Sequence, residues 1–433
     1  MRVQDNVGKI SWTVADKILF VLYGFVALVQ IRSLSPSEVG LYSMLVGLQT
    51  WIFIVSDGAA LQGIIQFGME KSGRAGVHTV ALITHVAICI GVSLVVAVFA
   101  DPLSSMFHEP RIAEVAHWLP LFCLLTLPRT FCLKVLLRDS QMKQVFWTNF
   151  AWFGTMTALT FWMIRSGSLQ SFTDLAIIAS TGIGVSSAVA LLLSYKLIPL
   201  SMRELPSLRS FFRFGFIQVA VSALTNAVRQ LDILVVQFFF HDLSFLGMYY
   251  SAKTFFRVFE TGLDALFSVI YPAAVRLLPA GKTEEFATMV TKGISYVLLS
   301  YVALIAVLEL GGTSILVSLL GGKYTHVGAQ LNVMILAAVF LPFSALYAVL
   351  LAEHRNVLML RHVLVATLAA LAVFVVCGTL QLQSLFPLGV VLYNAVLAAL
   401  LYFSVRKGLN LRAGMFLRAV PDVYNFLRNR QAA

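Results

Sequence analysis

Four ionisable residues, Lys253, Arg257, Glu260 and Asp264, interrupt an apolar stretch that reads LSFLGMYYSAKTFFRVFETGLDALFSVIYPAAV. At about 100° per residue on a helix they fall within about 60° of arc, a single narrow stripe. Two kinds of chemistry fit such a stripe. One is a ladder of internal ion pairs, with Arg257 to Glu260 as a rung and Lys253 paired to a neighbour. The other is a cationic surface for charged cargo, Arg257 offering paired donors and Lys253 a point charge. Both hold together if Glu260 keeps Arg257 oriented. Upstream, FIQVAVSALTNAVRQLD places Gln218, Ser222, Thr225, Asn226 and Arg229 within about 100° of arc, a second polar stripe. Asp232, three residues after Arg229, has the spacing of an i,i+3 partner.

The elements that position these residues are membrane helices. The chain has 433 residues, 59% hydrophobic and 12% charged, with a mean hydropathy of +0.87. Soluble domains run at about 25% charged residues. An Arg, Lys or Asp at the bilayer centre costs roughly 2.5–3.5 kcal/mol, so the four-residue stripe facing lipid would cost about 10. That is comparable to the whole stability of a domain, about 5–15 kcal/mol. The stripe must face protein or water. Windows of about 20 apolar residues place spans near residues 12–32, 39–64, 78–100, 114–134, 145–164, 173–195, 214–240, 245–275, 286–310, 328–352, 359–380 and 387–405. The fold class expected is therefore an all-α polytopic membrane protein with about twelve transmembrane helices.

Charge sets the orientation. The net charge of +11 could suggest nucleic acid, but most loop Lys and Arg fall on the side of the N-terminus. The opposite loops hold only Arg32, Arg111, Arg165 and Lys323. That bias predicts both termini cytoplasmic. The N-terminus, MRVQDNVGKISW, lacks a cleavable signal pattern. Cys89, Cys123, Cys132 and Cys377 are scattered in apolar spans, which argues against disulfides and zinc, and the eight His show no metal-ligand spacing. His85 reads as packing. No cofactor and no metal are expected.

The two halves repeat. LVQIRSLSPSEVGLYS (28–43) and VVQFFFHDLSFLGMYY (235–250) align Val29, Gln30, Ser37, Gly40 and Tyr42 with Val236, Gln237, Ser244, Gly247 and Tyr249. Asp57 aligns with Asp264 at the same offset, and a further match pairs Pro128 with Pro342. An even number of spans per half makes this a parallel repeat, the kind that places a substrate site between two bundles. The division predicted is a six-helix bundle over 1–195, a cytoplasmic basic linker over 196–213, a second six-helix bundle over 214–405 and a basic tail over 406–433. Asp57 and Asp264 are candidates for a cap or gate, for a coupling cation, or for a structural hydrogen bond. Arg129, just after Pro128, is the basic candidate of the first half, or a residue that snorkels to the interface. The aromatic segment FWTNFAWFGTMTALTFWMI reads as lipid-facing, although its ring faces could stack on sugars.

IRSLSPSEVGLYSMLVGLQTWIFIVSDGAALQGIIQF resembles the opening hairpin of oligosaccharide (Wzx-type) flippases, in the polysaccharide branch of the multidrug/oligosaccharidyl-lipid/polysaccharide (MOP) superfamily. RQLDILVVQFFFHDLSFLGMYYSAKTFFRVFETGLDALFSVIYP is similar to the matching hairpin of their second half. The resemblance implies twelve helices in two six-helix bundles of a bacterial inner-membrane protein. It also implies translocation of undecaprenyl-pyrophosphate-linked oligosaccharide for surface polysaccharide assembly, in company with other assembly proteins. On that reading Lys253, Arg257, Arg229 and Arg129 would meet the diphosphate, with Asn226 and Gln218 for sugar hydroxyls. The lipid II flippases of the superfamily carry a charged pair in the first helix, to which Asp16 and Lys17 correspond loosely, in a different order of charge. A coupling ion, sodium or proton, is left open. The competing readings are a cation-coupled multidrug (MATE-like) exporter, which would want acids in its cavity, and a membrane glycosyltransferase or polymerase. The short outer loops leave no room for a catalytic domain, so a transporter rather than an enzyme is expected.

Overall fold

The computed structural model describes residues 3–68, 73–353, 355–411 and 414, without side chains for 3–10. Most of the expected tail 406–433 lies outside the described residues. All regular structure among the described residues is helical: α1 (Val3–Ser33), α2 (Pro36–Ser56), α3 (Gln62–Phe67), α4 (Arg74–Val98), α5 (Ala100–Met106), α6 (Ile112–Arg138), α7 (Met142–Arg165), α8 (Phe172–Ser194), α9 (Leu208–Phe240), α10 (Leu243–Leu277), α11 (Thr283–Val307), α12 (Thr313–Leu320), α13 (Val327–Ile335), α14 (Tyr347–Ala352), α15 (Asn356–Thr379) and α16 (Leu388–Val405), joined in places by short 3-10 and π turns. Ten of the described helical segments are long and apolar enough to cross a membrane, or eleven if a bent pair counts as one span. Helix covers every segment expected to span. The segment short of the criterion is α7, whose length of 24 residues suffices. Its Gln144, Thr148, Asn149 and three tryptophans, Trp147, Trp152 and Trp162, lower its hydropathy. The bent pair is Val327–Val339 with Leu341–Ala352, at 41°. Pro342 enters a 3-10 turn there, having no N–H to continue an α-helix. Its repeat counterpart Pro128 sits inside an unbroken α6.

Contacts divide the chain into two compact units. The first is Met1–Asn226 with Gln230–Tyr250, and the second is Ala227–Arg229 with Ser251–Ala433. This boundary falls within α9 and α10. In the first unit α6 is the hub, packed on α2, α4 and α8, while α7 joins α8 to α1. In the second unit α15 packs on α16, and the 3-10 turns near Pro342 sit against α11 and α16. The expected linker is partly structured: Ser201 donates its N–H to Thr79 Oγ1 at 2.9 Å, and Gly76 leaves no Cβ room against the Glu204 carbonyl.

Helix starts are written locally. Ser35 precedes Pro36 at the first position of α2, where its missing N–H costs nothing. Ser171 and Asp174 form a capping box at α8. α2 ends on a π turn, Asp57–Leu61, before α3. Two close approaches hold the first unit together. A Cβ on Gly40 would stand 2.2 Å from the Leu243 carbonyl oxygen, and one on Gly247 would stand 1.8 Å from that of Pro36 and 3.0 Å from Gly40 N. The repeat-related glycines thus meet one another reciprocally, as expected across a two-fold relation. At the other end of α2, a Cβ on Gly58 would lie 2.7 Å from Val219 Cα, and one on Gly215 would lie 2.5 Å from the Ala59 oxygen.

Replacing Gly40 or Gly247 with leucine is expected to lower the melting midpoint of the detergent-purified protein by several degrees or prevent its isolation, overpacking costing about 1–3 kcal/mol or more. Gly24→Ala, where nothing lies within 4 Å, is the control expected to melt like the parent.

Candidate functional site

A cavity of about 360 Å³ opens inside the first unit. α2 contributes Gln49, Thr50 and Phe53, and the π turn after it Asp57; α6 contributes Thr126, Arg129 and Thr130; α7 contributes Trp152; and α9 contributes Ser222 and Asn226. Three sequence candidates, Arg129, Asn226 and Asp57, are therefore brought to one lining. Arg129 is fixed from three directions. Its Nε donates to Ser186 Oγ at 3.0 Å, its Nη2 donates to Asn149 Oδ1 at 2.6 Å, and its guanidinium carbon lies 4.2 Å from the centroid of Trp152. Asn149 relays the charge, its Nδ2 donating to Asp16 Oδ1 at 2.7 Å. The result is a cation stacked on an indole, with a carboxylate one amide away. Arg129 is thus half-buried and tied into a side-chain network, and the alternative in which it snorkels to the interface does not describe its contacts.

The hydroxyl lining is also tied down. Thr126 Oγ1 donates to the Phe122 carbonyl at 2.7 Å and accepts from Gln49 Nε2 at 2.6 Å. Trp152 Nε1 is buried with no hydrogen-bond partner among the described residues, an open donor beside the cavity, and such donors are rare in folded chains. Asp57, at the start of the π turn, sits 2.7 Å from Lys134 Nζ and accepts from Gln62 Nε2 at 2.8 Å. Of its three sequence readings, the structure displays the hydrogen-bonded one, with an ion pair added.

A second cluster belongs to the second unit. Glu260 Oε1 lies 3.3 Å from Arg229 Nε, and buried Lys253 donates Nζ to the Arg229 carbonyl. Glu260 thus has a partner from α9 besides the rung to Arg257 that the sequence suggested, and Arg257 and Asp264 are exposed. One helical stripe therefore spans buried and exposed surroundings, because neighbouring helices, not α10 itself, decide what each residue faces. Asp232 is fully buried and accepts from Tyr249 Oη at 2.7 Å and from Ile233 N at 2.9 Å. Gln218 is half-buried on α9 and is not among the cavity-lining residues. Asp16 and Lys17 diverge: Asp16 joins the Arg129 network, whereas Lys17 is exposed with Nζ 5.8 Å from the Phe20 centroid.

Asn149, Trp152, Ser186 and Lys134 escaped the sequence reading. A usable signal lay in Asn149 and Trp152, three residues apart and hence on one face of α7, inside the segment read as lipid-facing. A larger hollow of about 410 Å³ surrounds the π turn Leu308–Gly312 of the second unit. Its lining holds Glu309, Thr313 and Asn332 but no cation and no aromatic ring, so it offers less to bind. Outside the spans, the Arg138 guanidinium hydrogen-bonded to Asp139 holds that carboxyl below its ordinary range. Among the described residues no group of three or more His, Cys, Asp or Glu could hold a metal ion.

Residues 29–327, more than half of the chain, match a family described as polysaccharide biosynthesis protein. The chain belongs to that family. No curated protein matches it significantly. Among solved structures it resembles the lipid II flippase MurJ in an inward closed conformation, with a TM-score of 0.77 at 12% identity, covering 94% of this chain and 90% of that one. An inward-facing multidrug resistance MATE family transporter of the MOP superfamily gives 0.67 at 14% identity, with 93% and 94% covered. A MOP superfamily transporter from Pyrococcus furiosus, whose binding pocket is described as of reverse polarity, gives 0.62 at 15%, with 93% and 95% covered. Such identities establish the fold, that of MOP transporters. For this member of the polysaccharide biosynthesis family, fold and family together support a multi-pass membrane transporter rather than an enzyme.

Asn149→Leu is expected to destabilise the protein measurably in a thermal melt, since the Arg129 and Asp16 side chains each lose a hydrogen bond worth about 1.5–3 kcal/mol. Lys134→Met should destabilise likewise by stranding Asp57.

Proposed function

We propose that the protein is a flippase that moves undecaprenyl-pyrophosphate-linked oligosaccharide from the cytoplasmic to the outer leaflet of a bacterial inner membrane, for surface polysaccharide assembly. The observation that carries this reading is Arg129, a half-buried cation held ready among hydroxyls, amides and an indole in a cavity of about 360 Å³. Diphosphate needs a desolvated cation with free donors, sugars need hydroxyl and amide partners, and ring faces stack on aromatics. The cavity supplies all three kinds. The polysaccharide biosynthesis family match supports the cargo class. Arg229 and Lys253 serve in this proposal as cations of the second half, with Arg257 the exposed member of the same stripe. Twelve spans with both termini cytoplasmic, an alternating-access cycle coupled to sodium or protons, and contact with other assembly proteins complete the proposal.

The fold likeness to a multidrug transporter favours a second reading, a cation-coupled drug exporter. Such a pump wants an uncompensated acid for cationic compounds. The acid lining this cavity, Asp57, is already paired with Lys134, which weighs against it.

Leaflet-resolved detection of the glycan lipid in proteoliposomes tests the choice. Arg129→Gln is expected to lower the flipping rate at least tenfold, about 1.4 kcal/mol of lost interaction, while insertion is retained. Trp152→Phe should cost a few-fold. Undiminished flipping by Arg129→Gln, or drug efflux without glycan movement, would contradict the proposal.

A further inference from the structure

Two histidines 133 positions apart in sequence, and hence silent in any spacing pattern, meet in the first unit. His108 follows α5 and His241 follows α9, and their rings stand 4.4 Å apart between centroids at an interplanar angle of 56°. Both side chains are exposed. Both backbones are left-handed, with φ of 52° and 51°, a conformation that histidine adopts more readily than most residues. His241 caps α9 through its N–H to the Gln237 carbonyl at 3.1 Å, and the His108 N–H donates to the Ser105 carbonyl at 3.2 Å. Neither ring hangs on a loose loop.

The chemistry of the pair is set by one further bond. His241 Nδ1 lies 3.1 Å from the Phe107 carbonyl oxygen. A carbonyl only accepts, so Nδ1 carries the proton and Nε2 keeps its lone pair. A backbone carbonyl holding the far N–H is the usual outer-shell arrangement of a metal-ligating imidazole. Two imidazoles sharing a tetrahedral ion, with metal–nitrogen bonds of about 2.0–2.1 Å, place their centroids about 5 Å apart. The observed 4.4 Å between centroids is close to that spacing.

We propose that His108 and His241 form a two-imidazole site for a borderline divalent transition-metal ion of the zinc or nickel class, tying the segment after α5 to the turn between α9 and α10. Imidazole selects this class over magnesium or calcium. With two protein ligands, water fills the remaining positions, and the site is exchangeable rather than structural. It is independent of the cargo proposal, because it uses no residue of the cavity.

The test is zinc titration of the full chain in detergent, followed by calorimetry and by the melting midpoint. One equivalent is expected to bind and raise the midpoint, with magnesium giving no effect. His108→Asn and His241→Asn, in which asparagine keeps the left-handed backbone, should each weaken zinc binding at least tenfold. X-ray absorption on the loaded protein should show two imidazole ligands. Parent protein that takes up no zinc, or variants that bind it as tightly as the parent, would overturn the site. His108→Asn leaves the α9 cap untouched, so its result stands even if the other variant folds poorly.

Discussion

The first unit depends on backbone lying against backbone at glycine. At Gly40 and Gly247 the starts of α2 and α10 approach so closely that neither has space for a methyl group. At Gly58 and Gly215 the π turn after α2 meets α9 in the same manner. In a bilayer no hydrophobic force separates helix–helix from helix–lipid contact, so close packing through small residues carries association. These contacts have chemical consequences. The contact at Gly58 and Gly215 brings Ser222 and Asn226 of α9 alongside Gln49 and Phe53 of α2 and Asp57 of the π turn, which together wall much of the cavity. The α2–α10 contact fixes the turn that carries His241.

Charge follows from that packing. A membrane interior does not tolerate lone ions, and the described acids near the candidate sites are answered. Asp57 has Lys134, Asp16 has Asn149 and through it Arg129, Glu260 has Arg229, and Asp232 has Tyr249 and a backbone N–H. Each of these contacts crosses between helices except the backbone one at Asp232. They therefore act as registry devices as well as charge partners, the best-attested role for buried polar groups. Asp57 and Asp264, equivalent in the repeat, have diverged: the first is paired inside its unit and the second is exposed. Equivalence in sequence did not preserve equivalence in chemistry.

Spans were legible in the sequence because hydrocarbon thickness imposes a length and an apolar composition that a window can detect. Gly40 and Gly247, which the sequence aligns with one another, lie where backbone meets backbone and a Cβ has no room. What stayed hidden was pairing. Helical periodicity tells which residues share a face, so the stripe of Lys253, Arg257, Glu260 and Asp264 was visible. It does not tell which neighbouring helix supplies a partner, so Arg229 for Glu260 and Tyr249 for Asp232 could not be read. At α7 composition told half: Trp147, Phe150, Phe161 and Trp162 are exposed, as an apolar-facing surface requires, while Asn149 and Trp152 face Arg129. A bend at Pro342 was invisible because the same residue type at Pro128 leaves α6 uninterrupted.

Arg129 shows how a residue can be structural and still serve cargo. Guanidinium carries five N–H donors. Nε is spent on Ser186 and one N–H of Nη2 on Asn149, which leaves Nη1 and the second Nη2 hydrogen on the edge that binds phosphate in paired fashion. Stacking on Trp152 uses the face of the group and none of its donors. Asp16 stands behind an amide instead of touching the guanidinium, so it steadies the cation without occupying that edge. A direct carboxylate pair would have stabilised Arg129 more and left it less to offer. In the proposed cycle, interposing Asn149 is what separates a holding interaction from a competing one.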